Sequence, residues 1–118
     1  MKNLLLGAAL LLAAPAAGSA HAFLKTAEPA VGSTLHAAPQ SLTLHFTEGV
    51  EPAFTTVIVT NDSGAHFEAA RPQPVADDPR QLTVPLKPLT PGTYTVTWHA
   101  TSVDTHKTQG TYRFTLAP

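Results

Sequence analysis

The sequence predicts an all-β fold, a small sandwich or barrel around one core. Two observations carry this expectation. Apolar residues recur at every second position in several segments, the pattern of strands with one buried face. Dense turn signals drawn from eleven prolines and seven glycines separate these segments, and nothing after residue 20 carries a helical period of 3.6.

In chain order, the first segment is not a strand. MKNLLLGAALLLAAPAAGSA (1–20) places one lysine before a Leu/Ala run and ends in small residues. That is the pattern of a secretory signal peptide, and Leu4 to Pro15 is short of the roughly 20 residues a membrane span needs. The small-residue rule permits cleavage after Ala20 or after Ala22. EPAVGS (28–33) reads as a turn, and SLTLHF (41–46) then puts Leu42, Leu44 and Phe46 on one face. FTTVIVT (54–60) is β-branched and apolar, as a strand interior would be, and NDSG (61–64) ends it. DDP (77–79) is a further turn signal before QLTVPL (81–86), which aligns Leu82, Val84 and Leu86. Pro85 argues for an edge strand or a bulge there. LTPG (89–92) leads into GTYTVTWHA (92–100), with Tyr94, Val96 and Trp98 aligned, and LTVPLKPL before it reads as its hairpin partner. GTYRFTLA (110–117) aligns Tyr112, Phe114 and Leu116. Short strands at this spacing fit an immunoglobulin-like sandwich, which is a scaffold and not yet a function.

Setting aside residues 1–20 of the 118 leaves 98, enough for one domain, 21–118. Without Lys2, six Lys and Arg face eight Asp and Glu, a balance that argues against a nucleic-acid partner. No second apolar segment supplies a membrane anchor. There is no cysteine, which excludes a disulfide, a lipid-attachment thiol and a thiolate metal site.

Chemistry therefore rests on histidines and carboxylates. His36, His45, His66 and His99 read singly as solvated or structural residues, and His45 and His99 fall on the polar faces of strands. SVDTHKTQG sets Asp104 and His106 two apart, so an extended segment would point both the same way, toward one metal ion. Asp-x-His alone is weak evidence. His21, as the first residue of a mature chain, would offer an α-amine and an imidazole Nδ1 that close one chelate ring. Amine and imidazole nitrogens suit Cu(II), which also heads the divalent affinity order. The alternative is that His21 merely follows the cleavage site. Glu48 stands at the end of SLTLHFTEGV, at a strand edge, and by itself reads as an ordinary glutamate. Ser102, Asp104 and His106 are too close in sequence for a nucleophilic triad.

Together these segments resemble the CopC family of periplasmic copper-binding proteins, over essentially the whole mature chain. HAFLKTAEPAVGSTLHAAPQSLTLHFTEGVE is similar to the family's opening: a mature histidine, a Pro-Ala-x-Gly turn, an Ala-Pro and a strand ending Phe-Ser/Thr-Glu. PGTYTVTWHATSVDTHKTQGTYRF is similar to its Pro-Gly-x-Tyr-x-Val-x-Trp strand, Ser-x-Asp-x-His loop and final strand. The resemblance implies a seven-stranded Greek-key β-barrel or sandwich and one Cu(II) ion. It implies that His21, Asp104 and His106 are ligands, with Glu48 a further oxygen ligand or a neighbour of the ligands. A family ligand at His21 places the cut between Ala20 and His21. The implied role is copper resistance or homeostasis in the periplasm, by sequestration or delivery, as a monomer beside an inner-membrane copper transporter of the CopD type.

Some members of that family hold Cu(I) in a methionine-rich loop. The single methionine here is Met1, within the leader, and His66 lies near where that loop would fall. Cu(I) prefers thioether and thiolate, so one Cu(II) site and no Cu(I) site is expected. Two rivals remain. Copper monooxygenases that attack polysaccharides also use an N-terminal histidine, but 98 residues leave little room for a flat substrate surface, and carboxylate oxygen on the metal favours Cu(II) over Cu(I). A metal-free interaction module would explain the strands but not the four placed residues. A binding protein, not an enzyme, is the expectation.

Overall fold

The structure, a computed structural model, describes residues 21–118; residues 1–20, over which a signal peptide is expected and which include Met1, lie outside the described residues. Eight strands follow in order: β1 (Leu24–Glu28), β2 (Thr34–Leu35), β3 (Ser41–Phe46), β4 (Thr56–Thr60), β5 (Gln73–Val75), β6 (Asp78–Pro85), β7 (Gly92–Thr101) and β8 (Lys107–Leu116). Among the described residues, the helical content is one 3-10 turn, Pro52–Phe54. The strands form two four-stranded sheets, ordered β1-β3-β6-β5 and β2-β8-β7-β4. The chain crosses between sheets after β1, β2, β3, β4 and β6, in the manner of a Greek-key sandwich. The two sheets do not close on each other, so the barrel alternative gives way to the sandwich, and the strands number eight against the seven expected, with β2 and β5 very short.

The alternation read in the sequence defines the core. Leu42, Leu44 and Phe46 from β3 and Leu82 and Val84 from β6 are buried from one sheet. Val57 and Val59 from β4, Tyr94, Val96 and Trp98 from β7, and Tyr112, Phe114 and Leu116 from β8 are buried from the other. Each fully buried aliphatic or aromatic side chain contributes about 1.5–3 kcal/mol relative to exposure, so the two facing stripes hold the sheets together. Phe46 meets Trp98 edge-on across the sandwich, with centroids 5.4 Å apart. Tyr94 stacks on Phe114 at 5.5 Å. Its hydroxyl donates to the Thr90 carbonyl at 2.5 Å and accepts from the Thr90 amide at 3.0 Å, which pins the turn before β7.

Two expectations are corrected. β6 lies between β3 and β5 and is therefore not an edge strand. Pro85 is tolerated because it is the last residue of β6, opposite Ser41, where a missing N–H costs little. The bulge alternative is nearer the mark: the register steps from Pro74↔Leu82 to Val75↔Asp78, so the extra residues lie in β6, at Pro79–Gln81 and not at Pro85. Nor are β6 and β7 a hairpin, since they belong to different sheets and face each other through the core.

Candidate metal centre

One end of the sandwich gathers the start of β1, the exit from β3 and the connection from β7 to β8. Backbone hydrogen bonds stitch these together. The Thr47 amide donates to the Phe23 carbonyl at 2.8 Å, Glu51 N to Thr101 O at 2.8 Å, and Val103 N to Gly49 O at 3.0 Å. Val50 and Ser102 form an isolated bridge. The chain just past β3 is thereby laid beside the connection 102–106.

That connection is not the extended segment expected from Asp-x-His. It is a tight turn, closed by Ser102 N donating to His106 O at 2.9 Å and Thr105 N to Ser102 O at 2.8 Å. Thr105 adopts left-handed backbone with a φ of 75°, which is rare for a β-branched residue. Asp104 and His106 still point together, with His106 Nδ1 3.3 Å from Asp104 Oδ1. Ser102, 1% exposed, is the hub of the turn. Its hydroxyl donates to Asp104 Oδ1 and accepts from the His106 amide at 3.1 Å. This hydroxyl, with the His106 ring, holds the exposed Asp104 carboxyl below its ordinary value against a smaller opposing effect of desolvation.

The His21 ring lies 4.5 Å, centroid to centroid, from the His106 ring at a tilt of 46°. The Phe23 ring follows at 6.2 Å from His21. His21, Asp104 and His106, drawn from opposite ends of the sequence, thus meet at one end of the fold. Glu48 is half-buried in the bend after Thr47. Its segment is beside the turn, but no hydrogen bond or ion pair brings its carboxylate to the other three among the described residues.

Among the described residues, no group of three or more His, Cys, Asp or Glu side chains is gathered tightly enough to hold a metal ion. The cause is visible in the local bonding. Asp104 is turned toward Ser102 and His106, and the two imidazoles meet as neighbouring rings. In the uncut chain the His21 nitrogen is also a peptide amide and not an amine. The three side chains lie close together, but their present orientations do not enclose an ion. Imidazole nitrogen and carboxylate oxygen fit Cu(II) and offer nothing soft to Cu(I).

The other histidines stand apart from this cluster. His36 is exposed, and His45 lines a 430 Å³ cleft with Lys25, Asp78 and Arg80. His66 Nδ1 pairs with Glu68 Oε2 at 2.8 Å. His99 lines a 390 Å³ cleft with Phe54 and Lys107. Sequence reasoning missed Ser102 as the hub, although it stands two residues before Asp104. It also missed Thr47 and Thr108, which hold the chain at His21 and Ala22; threonine is too common in strands to have signalled either.

Known proteins share this architecture. The CopC domain family model matches residues 24–117. Protein YobA of Escherichia coli K12 is 44% identical over 98 residues, spanning 82% of this chain and 79% of that protein. The crystal structure of CopC from Methylosinus trichosporium OB3b matches with a TM-score of 0.78 at 34% identity, covering 83% of this chain and 95% of that one. PcoC, a methionine-rich copper resistance protein from Escherichia coli, matches with a TM-score of 0.71 at 35% identity, covering 82% and 99%.

Proposed function

This chain belongs to the CopC family, and from that premise we propose that it is an exported protein that binds one Cu(II) ion for copper resistance or homeostasis. The observation that carries the proposal is the meeting of His21 and His106, 4.5 Å apart, with Asp104 3.3 Å from the His106 ring. His21 supplies its imidazole and, once residues 1–20 are removed, its α-amine. His106 supplies a second imidazole and Asp104 a carboxylate oxygen. Glu48 is placed to approach as a further oxygen donor or to orient the others. Copper is the cargo, sequestered or passed on, and an inner-membrane copper transporter of the CopD type is the proposed recipient. The protein acts as a periplasmic monomer and not as an oxidative enzyme, because an anionic oxygen on the metal disfavours the Cu(I) that oxygen activation requires. Lacking cysteine and any methionine beyond Met1, it holds no dedicated Cu(I) site.

The burial of Ala22, 1% exposed with its carbonyl bonded to Thr108 Oγ1 at 2.5 Å, supports cleavage after Ala20. A cut after Ala22 would remove a residue packed in the core. The test compares protein beginning at His21 with protein carrying one extra alanine before it, by Cu(II) competition titration and electron paramagnetic resonance. The native terminus binds one equivalent tightly, and the extended form and His106→Ala bind far more weakly. Equal binding by the extended form would sink the amine-ligand reading. Ligation needs deprotonated nitrogens, so affinity falls as pH drops.

A further inference from the structure

We propose that Thr108 and Thr47 form a clasp, one hydroxyl from each sheet, that positions His21 for the metal; the inference rests on the copper reading above. Thr108, in β8, donates to the Ala22 carbonyl at 2.5 Å across 86 residues of sequence. Thr47, just past β3, donates to the His21 carbonyl at 3.2 Å and accepts the Phe23 amide at 3.0 Å. The Thr47 amide donates in turn to the Phe23 carbonyl at 2.8 Å. Between these contacts Ala22 is 1% exposed. The carbonyls of residues 21, 22 and 23 and the amide of 23 are all engaged, which anchors the backbone from which the His21 imidazole projects.

The geometry gives the clasp a specific consequence. Thr108, in β8, lies two residues after His106, which closes the turn just before that strand, and its partner Ala22 lies one residue after His21. The hydrogen bond between them therefore sets the spacing of the two imidazoles, seen as 4.5 Å between centroids. The clasp also fixes the terminal frame, since its outermost contact is the carbonyl of His21 itself. It is already formed in the uncut chain, so removal of the leader changes the chemistry of the His21 nitrogen without having to move it.

The test uses protein beginning at His21, with Thr108→Val to remove the hydroxyl while keeping the β-branched shape, and Thr108→Ser to restore it. Loss of one net hydrogen bond at the site predicts Cu(II) binding weaker by about tenfold in Thr108→Val. An altered copper hyperfine signature accompanies it, and both recover in Thr108→Ser. In the metal-free protein, proton contacts between the His21 and His106 rings seen by nuclear magnetic resonance disappear in Thr108→Val. Because Thr108 is half-buried in a strand, the same measurements on Thr47→Val, at an exposed position, provide a second reading. Wild-type affinity, spectrum and ring contacts in both valine variants would overturn the clasp. If His106→Ala also binds copper normally, the copper reading itself fails. If His106→Ala loses copper while the valine variants keep it, only the clasp is wrong.

Discussion

Gly110→Ala is expected to destabilise the domain, and the amount follows from the Trp98 ring. Gly110 in β8 stands opposite Trp98 in β7. A Cβ at Gly110 would meet Trp98 Cζ2 at 2.7 Å, Cε2 at 2.9 Å and Nε1 at 3.1 Å. These are atoms of one rigid ring, and that ring is 5% exposed and wedged against Phe46 at 5.4 Å, so it has little room to retreat. Overpacking of this kind costs about 1–3 kcal/mol. Alanine offsets some of this, about 0.4–1 kcal/mol, by restricting the unfolded chain. Overpacking wins, with a net loss of about 1–2 kcal/mol. For a domain near this size each kcal/mol lowers Tm by roughly 4–8 °C. Thermal unfolding by circular dichroism measures it, and a double-mutant cycle isolates the cause. In a Trp98→Leu background, Gly110→Ala should cost no more than about 0.5 kcal/mol. A Tm unchanged in Gly110→Ala, or an equal loss in both backgrounds, would refute the steric reasoning.

Further outcomes are expected at two tyrosines, Glu68 and Ser102. Tyr94→Phe removes the one hydroxyl that serves both the amide and the carbonyl of Thr90 and costs about 1–2 kcal/mol in denaturant unfolding, whereas Tyr112→Phe, whose buried hydroxyl has no partner among the described residues, is neutral or stabilising in the same assay. In alkaline titration followed by ultraviolet absorbance, Tyr112 ionises only as the fold is lost, because burial raises its pKa. Glu68 is pushed up by burial, but the Val59 amide and His66 outweigh this and hold its folded pKa below 4.5; its stabilisation is present above that pH and lost as pH falls through the folded value, so Glu68→Gln is less stable at pH 7 and the gap to wild type closes in acid. Ser102→Ala removes the acceptor of the His106 amide, so the domain loses about 1 kcal/mol and Cu(II) binding weakens, both read on one sample by melting and competition titration.

The strands that were legible in the sequence are those that bury a continuous stripe. β3, β6, β7 and β8 each place alternate residues in the core, and the period survives in the sequence. β1 does not, because of its five residues only Ala27 is buried and the rest face outward or lie at the edge. β2 and β5 span two and three residues, too short to show a period. Alternation also reports burial without naming the neighbour. LTVPLKPL read as the hairpin partner of the strand after it, yet Leu82 and Val84 point inward from one sheet and Tyr94 and Val96 from the other.

The chemistry-bearing residues were legible one at a time, and their arrangement was not. Asp104 and His106 are separated by one residue, but the left-handed backbone at Thr105 and the buried Ser102 hydroxyl bring them together, not an extended strand. His21 could be read as a ligand or as the residue after a cleavage site, and small-residue rules allowed Ala22 to be lost with the leader. The burial of Ala22 and its bond to Thr108 weigh on that choice from the side of folding. Loss of residues 21 and 22 would break the contacts of both threonines with them and empty a packed position between the sheets. Retaining both residues keeps the core filled and leaves one histidine beyond it, so the stability of the sandwich and the proposed copper site favour the same terminus.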